Sequence, residues 1–225
     1  MASGRARQTI AAPVVFWAGT MTDPARFIRR HLPLTPAPGI AGLRLHLARP
    51  GSGLRRLCGD QTPYWAYVWA GGAALVHHLR ANPALVRGRR VLDLGAGSGL
   101  VGIAAAQAGA AQVLALDPDP FARIAIGLNA TANAVTLQVL AADPPKVDIL
   151  LAGDVFYDGA SVAPLLATLR RASATGALVL VGDPGRSTLP LDQLVALATY
   201  LVADMGGTAV RPAVVYGLRP AQGAA

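Results

Sequence analysis

A chain of 225 residues, 53% apolar and 14% charged, holds enough hydrophobic material for one well-cored α/β domain and argues against bulk disorder. No apolar run reaches the ~18 residues of a membrane helix. The single Cys58 excludes an internal disulfide and a cysteine-based zinc site. His31, His46, His77 and His78 fall into no metal-ligand spacing, so neither a metal nor a membrane is expected. The net charge of +8 is lopsided: residues 1–90 carry thirteen Arg against Asp23 and Asp60, a net of +11, and residues 91–225 a net of −3. There is no Glu and Lys146 is the only Lys, a bias that a GC-rich genome produces by itself. The asymmetry still offers the N-terminal third as a docking face for an acidic partner. These arginines are not interleaved with an aromatic RNA-binding motif, which favours protein over nucleic acid.

In chain order, residues 1–21 read as a disordered or processed tail. Arg5 and Arg7 precede a short apolar patch at 10–17 broken by Pro13, too short for a good signal peptide. Such an acid-free, Arg-bearing start resembles a mitochondrial presequence, so a cytoplasmic location is expected for a bacterial chain and the mitochondrial matrix for a eukaryotic one. Residues 22–62 form a small extension. Thr22 is the candidate cap of a short helix to about His31, Pro33, Pro36 and Pro38 end it, and Leu43-Arg44-Leu45-His46-Leu47 alternates as a strand does.

The main domain spans 63–220. Pro63 opens a longer helix, on which Trp65, Val68, Trp69, Gly72, Leu75, Val76 and Leu79 recur at helical spacing until Asn82-Pro83 stops it. From Arg89 the pattern is strand, glycine turn, helix, repeated. Strands are expected near 89–94, 112–117, 136–141, 147–152 and 175–181, and helices near 98–109, 120–133, 158–173 and 189–203. Gly206-Gly207 then leads to one strand and residues 213–218 give another, a hairpin with no helix between its arms. The fold class is therefore α/β. It is a Rossmann-like, mostly parallel seven-stranded sheet with helices on both faces, closed by a C-terminal antiparallel hairpin, as in the common methyltransferase domain.

Val91-Leu92-Asp93-Leu94-Gly95-Ala96-Gly97-Ser98-Gly99 is an apolar run ending in a carboxylate and breaking into three alternating glycines. Such glycines let the backbone turn tightly against a ligand. Gly97, Gly99 and Gly102 also fit the dinucleotide pattern, but an anionic Asp93 beside a pyrophosphate would repel it. A ligand carrying an ammonium and a sulfonium is attracted instead, which points to S-adenosyl-L-methionine. Asp117 closes the second strand, 22 residues after Gly95, at the distance where an acid accepts ribose hydroxyls. Asp143, after the third strand, is a candidate for the adenine amino group, with an ordinary loop aspartate as the alternative. Asp143-Pro144-Pro145-Lys146 mimics the D-P-P motif of adenine and glutamine methyltransferases, yet it precedes the fourth strand and lacks the aromatic.

Gly153-Asp154-Val155-Phe156-Tyr157-Asp158 does follow the fourth strand, where ligands of open α/β sheets sit. Asp154 and Tyr157 are therefore the candidate catalytic pair. An acceptor amine must lose its proton and aim its lone pair; a carboxylate attracts the ammonium and a phenol orients it.

With Pro63-Tyr64-Trp65-Ala66-Tyr67-Val68-Trp69-Ala70-Gly71-Gly72, Gly182-Asp183-Pro184-Gly185-Arg186 and Val215-Tyr216-Gly217-Leu218-Arg219-Pro220, these motifs occur in one order. The chain resembles the lysine methyltransferases of the electron transfer flavoprotein β subunit over about residues 25–220. The resemblance implies that Asp93, Gly95, Gly97 and Gly99 hold the methionine end of the cofactor, Asp117 the ribose, and Trp69 packs beside it. It places Asp154 and Tyr157 at the acceptor lysine of the flavoprotein subunit. In that family a proline often follows the tryptophan, where Ala70 stands here. Arg186 is expected to meet an acidic group of the substrate protein. A ribosomal protein or small amine as acceptor, or a non-catalytic binding module, are the alternatives.

Overall fold

The computed structural model describes residues 23–142, 144–205 and 209–220. Helix α1 (Pro24–His31) is capped by Asp23, whose Oδ1 accepts the Ala25 N–H at 3.0 Å, one residue later than expected. Strands β1 (Leu34–Pro36) and β2 (Arg44–His46) pair antiparallel as a small separate sheet. β1 escapes sequence reading because Pro33 and Pro36 look like breakers, although proline is tolerated at strand edges and starts. Helix α2 (Arg55–Cys58) follows. Cys58 is buried, and desolvation with the nearby Asp119 charge pushes its thiol up to about 11.

The helix expected from Pro63 is interrupted. Tyr64–Ala66 makes one 3₁₀ turn, Tyr67 and Trp69 are extended, and α3 (Ala70–Ala81) begins only afterwards. Competing partners explain the break. The Ala66 carbonyl accepts from Ala48 N–H at 2.9 Å, and the Ala70 N–H donates to Asp204 at 3.2 Å, so neither serves a continuous helical ladder.

The main sheet contains β3 (Arg90–Leu94), β4 (Gln112–Leu116), β5 (Gln138–Leu140), β6 (Ile149–Gly153), β7 (Leu178–Asp183), β8 (Leu194–Ala203) and β9 (Val210–Leu218). Its order is β5-β4-β3-β6-β7-β9-β8. The first five strands are mutually parallel, and β9 runs antiparallel to both β7 and β8. Helices α4 (Leu100–Gln107), α5 (Pro120–Ala132) and α6 (Val162–Ala174) lie where periodicity places them.

One correction concerns 189–203. Leu194, Leu197, Ala198 and Leu201 recur as on a helix, yet this segment is β8, the outer arm of the hairpin. Pairing with β9 from Leu194 to Ala203, with a bulge at Ala196/Ala198, outweighs helix propensity, which is a weak preference. The hairpin therefore exists, with its first arm drawn from the residues that read as helix.

Side-chain alternation sorts the core into two layers. Val91, Val113, Ile149 and Leu151 face α3 and α4, whereas Leu92, Leu114, Leu150 and Val179 face α6. The extension is not a separate body. Leu43, Leu45 and Leu47 join the first layer, and Phe27, Ile28 and Leu32 pack with Trp65, Ala122 and Ala125. The chain passes from β3 out to β4 and β5, then returns to β6 on the other side of β3. The carboxyl ends of β3 and β6 thus form the switch point at which open sheets bind ligands.

Candidate active site

A cleft of about 440 Å³ opens at that switch point, a size suited to a small molecule. Its floor is the turn after β3. Gly95, Gly97 and Gly99 have φ of +67°, +53° and +80°, a left-handed path that side chains resist. The turn is anchored by Gly95 and Ala96 N–H groups donating to the Leu116 carbonyl. Asp117 forms a wall. Its Oδ2 accepts from Gly97 N–H at 2.8 Å and its Oδ1 from Asp119 N–H at 2.9 Å, so β4 and the loop are tied through one carboxylate. Burial raises its pKa, and these two N–H donors oppose the rise. Asp119 caps α5, leaving Asp117 as the acid of this wall.

Asp93 lies deeper than its sequence position suggests. It shares the strand face of Val91 and so points at α4 rather than into the cleft. It is 1% exposed, and its Oδ2 accepts from Gly102 N–H at 2.8 Å. Gly102 is the third residue of α4, so Asp93 caps that helix from a neighbouring strand. Desolvation pushes its pKa up to about 7, against the pull of the Gly102 N–H and with the repulsion of Asp117.

Across the cleft, α3 docks onto the ends of β6 and β7 backbone to backbone. A Cβ on Gly71 would lie 2.1 Å from the Gly182 carbonyl oxygen, and one on Gly153 would lie 2.8 Å from the Gly72 Cα. Only glycine permits this approach. It carries Asp154 to the third N–H of α3: Oδ2 accepts from Gly72 N–H at 2.7 Å. Asp154 itself has a φ of +58°, an uncommon conformation for a residue with a side chain, held by its N–H bond to the Gly182 carbonyl at 2.9 Å.

Its other oxygen is taken as well. Arg186 Nη1 donates to Asp154 Oδ1 at 2.7 Å and to Asp183 Oδ2 at 2.9 Å, and Asp183 Oδ1 accepts from Gly185 and Arg186 N–H groups. Burial raises the Asp154 pKa while the guanidinium works against it. Arg186, expected to meet an acidic group of a substrate protein, is bonded here to the site's own two carboxylates.

The mouth is aromatic. Tyr64 and Tyr157 meet with ring centroids 5.0 Å apart, and Tyr64 lies 5.8 Å from Trp69. The Trp69 indole N–H donates to the Tyr64 carbonyl at 2.8 Å, fixing the ring at the cleft. Tyr64 and Tyr157 are 45% and 57% exposed. Burial, then the neighbouring Tyr64, raises the Tyr157 pKa. Trp65 lines the same cleft, its indole N–H buried without a partner among the described residues.

The structure thus brings Trp69, Gly95, Gly97, Asp117, Asp154 and Tyr157 to one cleft, with Gly99 starting the helix behind the loop and Asp93 capping it. Asp143 lies outside the described residues. Tyr64 and the Gly71–Gly182 contact were missed. Their only sequence signals were a tyrosine three residues before the break and glycines at the ends of two strands and one helix. No cluster able to hold a metal occurs among the described residues. A second hollow of about 490 Å³ under α6 contains none of the candidate residues.

The sheet order, the glycine turn after its first central strand and the acid ending the next define a class I methyltransferase fold. A putative RNA methyltransferase from Pyrococcus horikoshii shares it, at a TM-score of 0.52 and 19% identity over 71% of this chain and 89% of that one. Residues 64–188 match the family model described as lysine methyltransferase. The electron transfer flavoprotein beta subunit lysine methyltransferase of Xenopus laevis is 39% identical, over 81% of this chain and 80% of its own length. The mouse protein of that name is 45% identical over 131 residues, which span 55% of this chain and about half (51%) of the relative. The chain belongs to the lysine methyltransferase family.

Proposed function

We propose that the chain transfers methyl groups from S-adenosyl-L-methionine to lysines of a protein, and that this protein is the electron transfer flavoprotein β subunit. The observation that carries the reading is one cleft with two unlike ends. At one, Asp117 and the Gly95–Gly97 turn offer a carboxylate and open backbone; at the other, Asp154 and Tyr157 stand beside a neutralising arginine. Family membership and the names of the relatives support lysine as the acceptor and the flavoprotein subunit as its bearer.

The residues present fit the cofactor. Gly97 lines the cleft with bare backbone, and a Cβ there would already touch the Trp65 Cα at 3.7 Å, filling space that a ligand can use instead. On this reading Asp117 would accept ribose hydroxyls, the glycine turn would face the methionine end, and Trp69 would flank it. When bound, the cofactor supplies a methyl group on a sulfonium.

The chain's own residues prepare the acceptor. A bare carboxylate beside an amine would stabilise its charged form and hold the proton that must leave. Arg186 tempers Asp154, so the site draws the ammonium in without trapping it. The faces of Tyr64, Tyr157 and Trp69 attract the same cation through their rings, an interaction worth about 0.5–2 kcal/mol. Tyr157, exposed at the rim, orients the amine, and the aromatic mouth limits water around the reacting atoms. Incubating the purified chain with labelled cofactor and recombinant flavoprotein, followed by peptide mass spectrometry, tests the reading. Methylated lysine on the β subunit is expected; label confined to ribosomal proteins or small amines overturns the substrate, and no cofactor binding in calorimetry overturns the enzyme.

A further inference from the structure

The positive charge of the first ninety residues is not spread evenly over the surface. Helix α1 presents Arg26, Arg29 and Arg30 on one exposed side, at i, i+3 and i+4, while Phe27 and Ile28 on the other side are buried. The guanidinium of Arg56 lies over the Phe27 ring, 5.8 Å from its centroid, bringing α2 beside α1. Below them, Phe27 and Ile28 belong to the same packed cluster as Trp65 and Ala122, and both of those are walls of the cleft. α1 also packs on α5, which starts where β4 ends. The basic side therefore adjoins the cleft, on its Asp117 side, at the carboxyl end of the sheet.

The nearby acids are committed elsewhere and offset it only in part. Asp23 is spent capping α1, Asp119 caps α5, and Asp60 is paired with Arg55 at 2.7 Å. Arg123 adds a further cation at the rim, donating to the Asp117 and Pro118 carbonyls. No carboxylate pairs with Arg26, Arg29, Arg30 or Arg56 among the described residues. A row of unpaired guanidiniums on a rigid helix beside a reaction cleft is an electrostatic guide.

We propose that the α1 face is the docking surface for the protein substrate, and that it takes an acidic patch flanking the acceptor lysine. This rests on the protein-lysine reading of the cleft. The chemistry favours protein over RNA: among the described residues the aromatic rings near these arginines are buried in the core (Phe27) or committed to the mouth (Tyr64, Trp69), with no stacking platform for bases along α1. The face acts at a distance from the methyl group. It raises the concentration of substrate at the cleft and orients it, and takes no part in the transfer itself.

The test uses the full chain, recombinant flavoprotein and a short lysine peptide cut from its modified site. Replacing Arg26, Arg29 and Arg30 together by Ala is expected to raise KM for the flavoprotein about tenfold at low salt and leave kcat within twofold. The same variant leaves cofactor affinity and the slow methylation of the peptide unchanged, which also shows that it is folded. Added salt raises KM for the unmutated chain and moves the variant much less. As a charge control, Arg87→Ala with Arg89→Ala at the opposite end of the sheet leaves KM within twofold.

An unaltered KM in the triple variant, or an equal rise in the control, overturns the docking face. So does displacement of the flavoprotein by transfer RNA that binds the unmutated chain and not the variant, since the arginines then serve nucleic acid. If the unmutated chain leaves the flavoprotein unmodified, the substrate reading fails by itself. The face is then judged on labelled proteins of the host lysate: salt-sensitive labelling lost in the triple variant supports it, and equal labelling overturns it.

Discussion

The carboxyl ends of β3 and β6, neighbouring strands, end in the same device put to different use. Asp93 and Asp154 are both buried, and each accepts the N–H of the third residue of a helix, Gly102 of α4 or Gly72 of α3. Asp93 has no cationic partner among the described residues and sits behind the loop in strand geometry; its charge is costly enough that its pKa reaches about 7. Asp154 is held in a left-handed conformation, bonded to Arg186, and stands at the cleft wall. An uncompensated carboxylate serves to set a loop and a helix. A compensated, strained one stands at the cleft wall, and strain of this kind persists only where surrounding structure over-determines it.

The comparison breaks first at Asp154. Asp154→Ala is expected to lower the transfer rate by about 10²–10³, with cofactor affinity within threefold of the parent, in initial-rate and calorimetric measurements. An equal loss of cofactor binding would make Asp154 a twin of Asp93 instead of its counterpart. Next in size, Arg186→Met leaves Asp154 and Asp183 without their cation and costs about 3 kcal/mol in urea unfolding. This is the lower end for breaking a buried pair, because Arg186 keeps 23% of its side chain exposed. A cost below about 1 kcal/mol would show that solvent already screens the pair.

Asp93 gives a subtler, pH-dependent signal. Its folded pKa of about 7 exceeds the ordinary 3.8, so between those values the folded chain binds more protons than the unfolded one. Its contribution to stability therefore falls as pH rises from about 4 to about 7 and levels off above. Asp93→Asn keeps an oxygen for the Gly102 N–H and lacks the titration. The parent-minus-variant stability should drop by up to about 1.4 kcal/mol per pH unit across that window; a flat difference removes the buried charge from the account. Smallest is the aromatic mouth. Tyr64→Ala should raise KM for the protein substrate roughly threefold to tenfold, and Tyr64→Phe should restore it, since the ring and not the hydroxyl meets the cation.

Much of the donor half was legible because its signals are local. Three alternating glycines must turn, and an acid at the end of the next strand must lie beside that turn. The acceptor half was legible only as a location. That Asp154 would be neutralised depends on Arg186, more than thirty residues on, and no spacing announces it. Asp93 was read as facing a ligand because it precedes the glycines; strand alternation, set by Val91, sends it to α4. Residues 194–203 carry a helical pattern, and only the partner strand β9 makes them extended. The break at 67–69 likewise comes from hydrogen bonds to Ala48 and Asp204, groups remote in sequence.

The glycine contact between α3 and the ends of β6 and β7 also governs when the site can form. It joins Gly72 to Asp154, 82 residues apart, and Gly71 to Gly182, farther still. Such closures are slow because loop entropy is lost before contacts repay it. During synthesis, β3, β4 and their loop can assemble before β6 leaves the ribosome, whereas Asp154 lacks its bonds to Gly182 and Arg186 until β7 and the loop after it arrive. The donor half is made early, and the acceptor half comes only with the completed sheet.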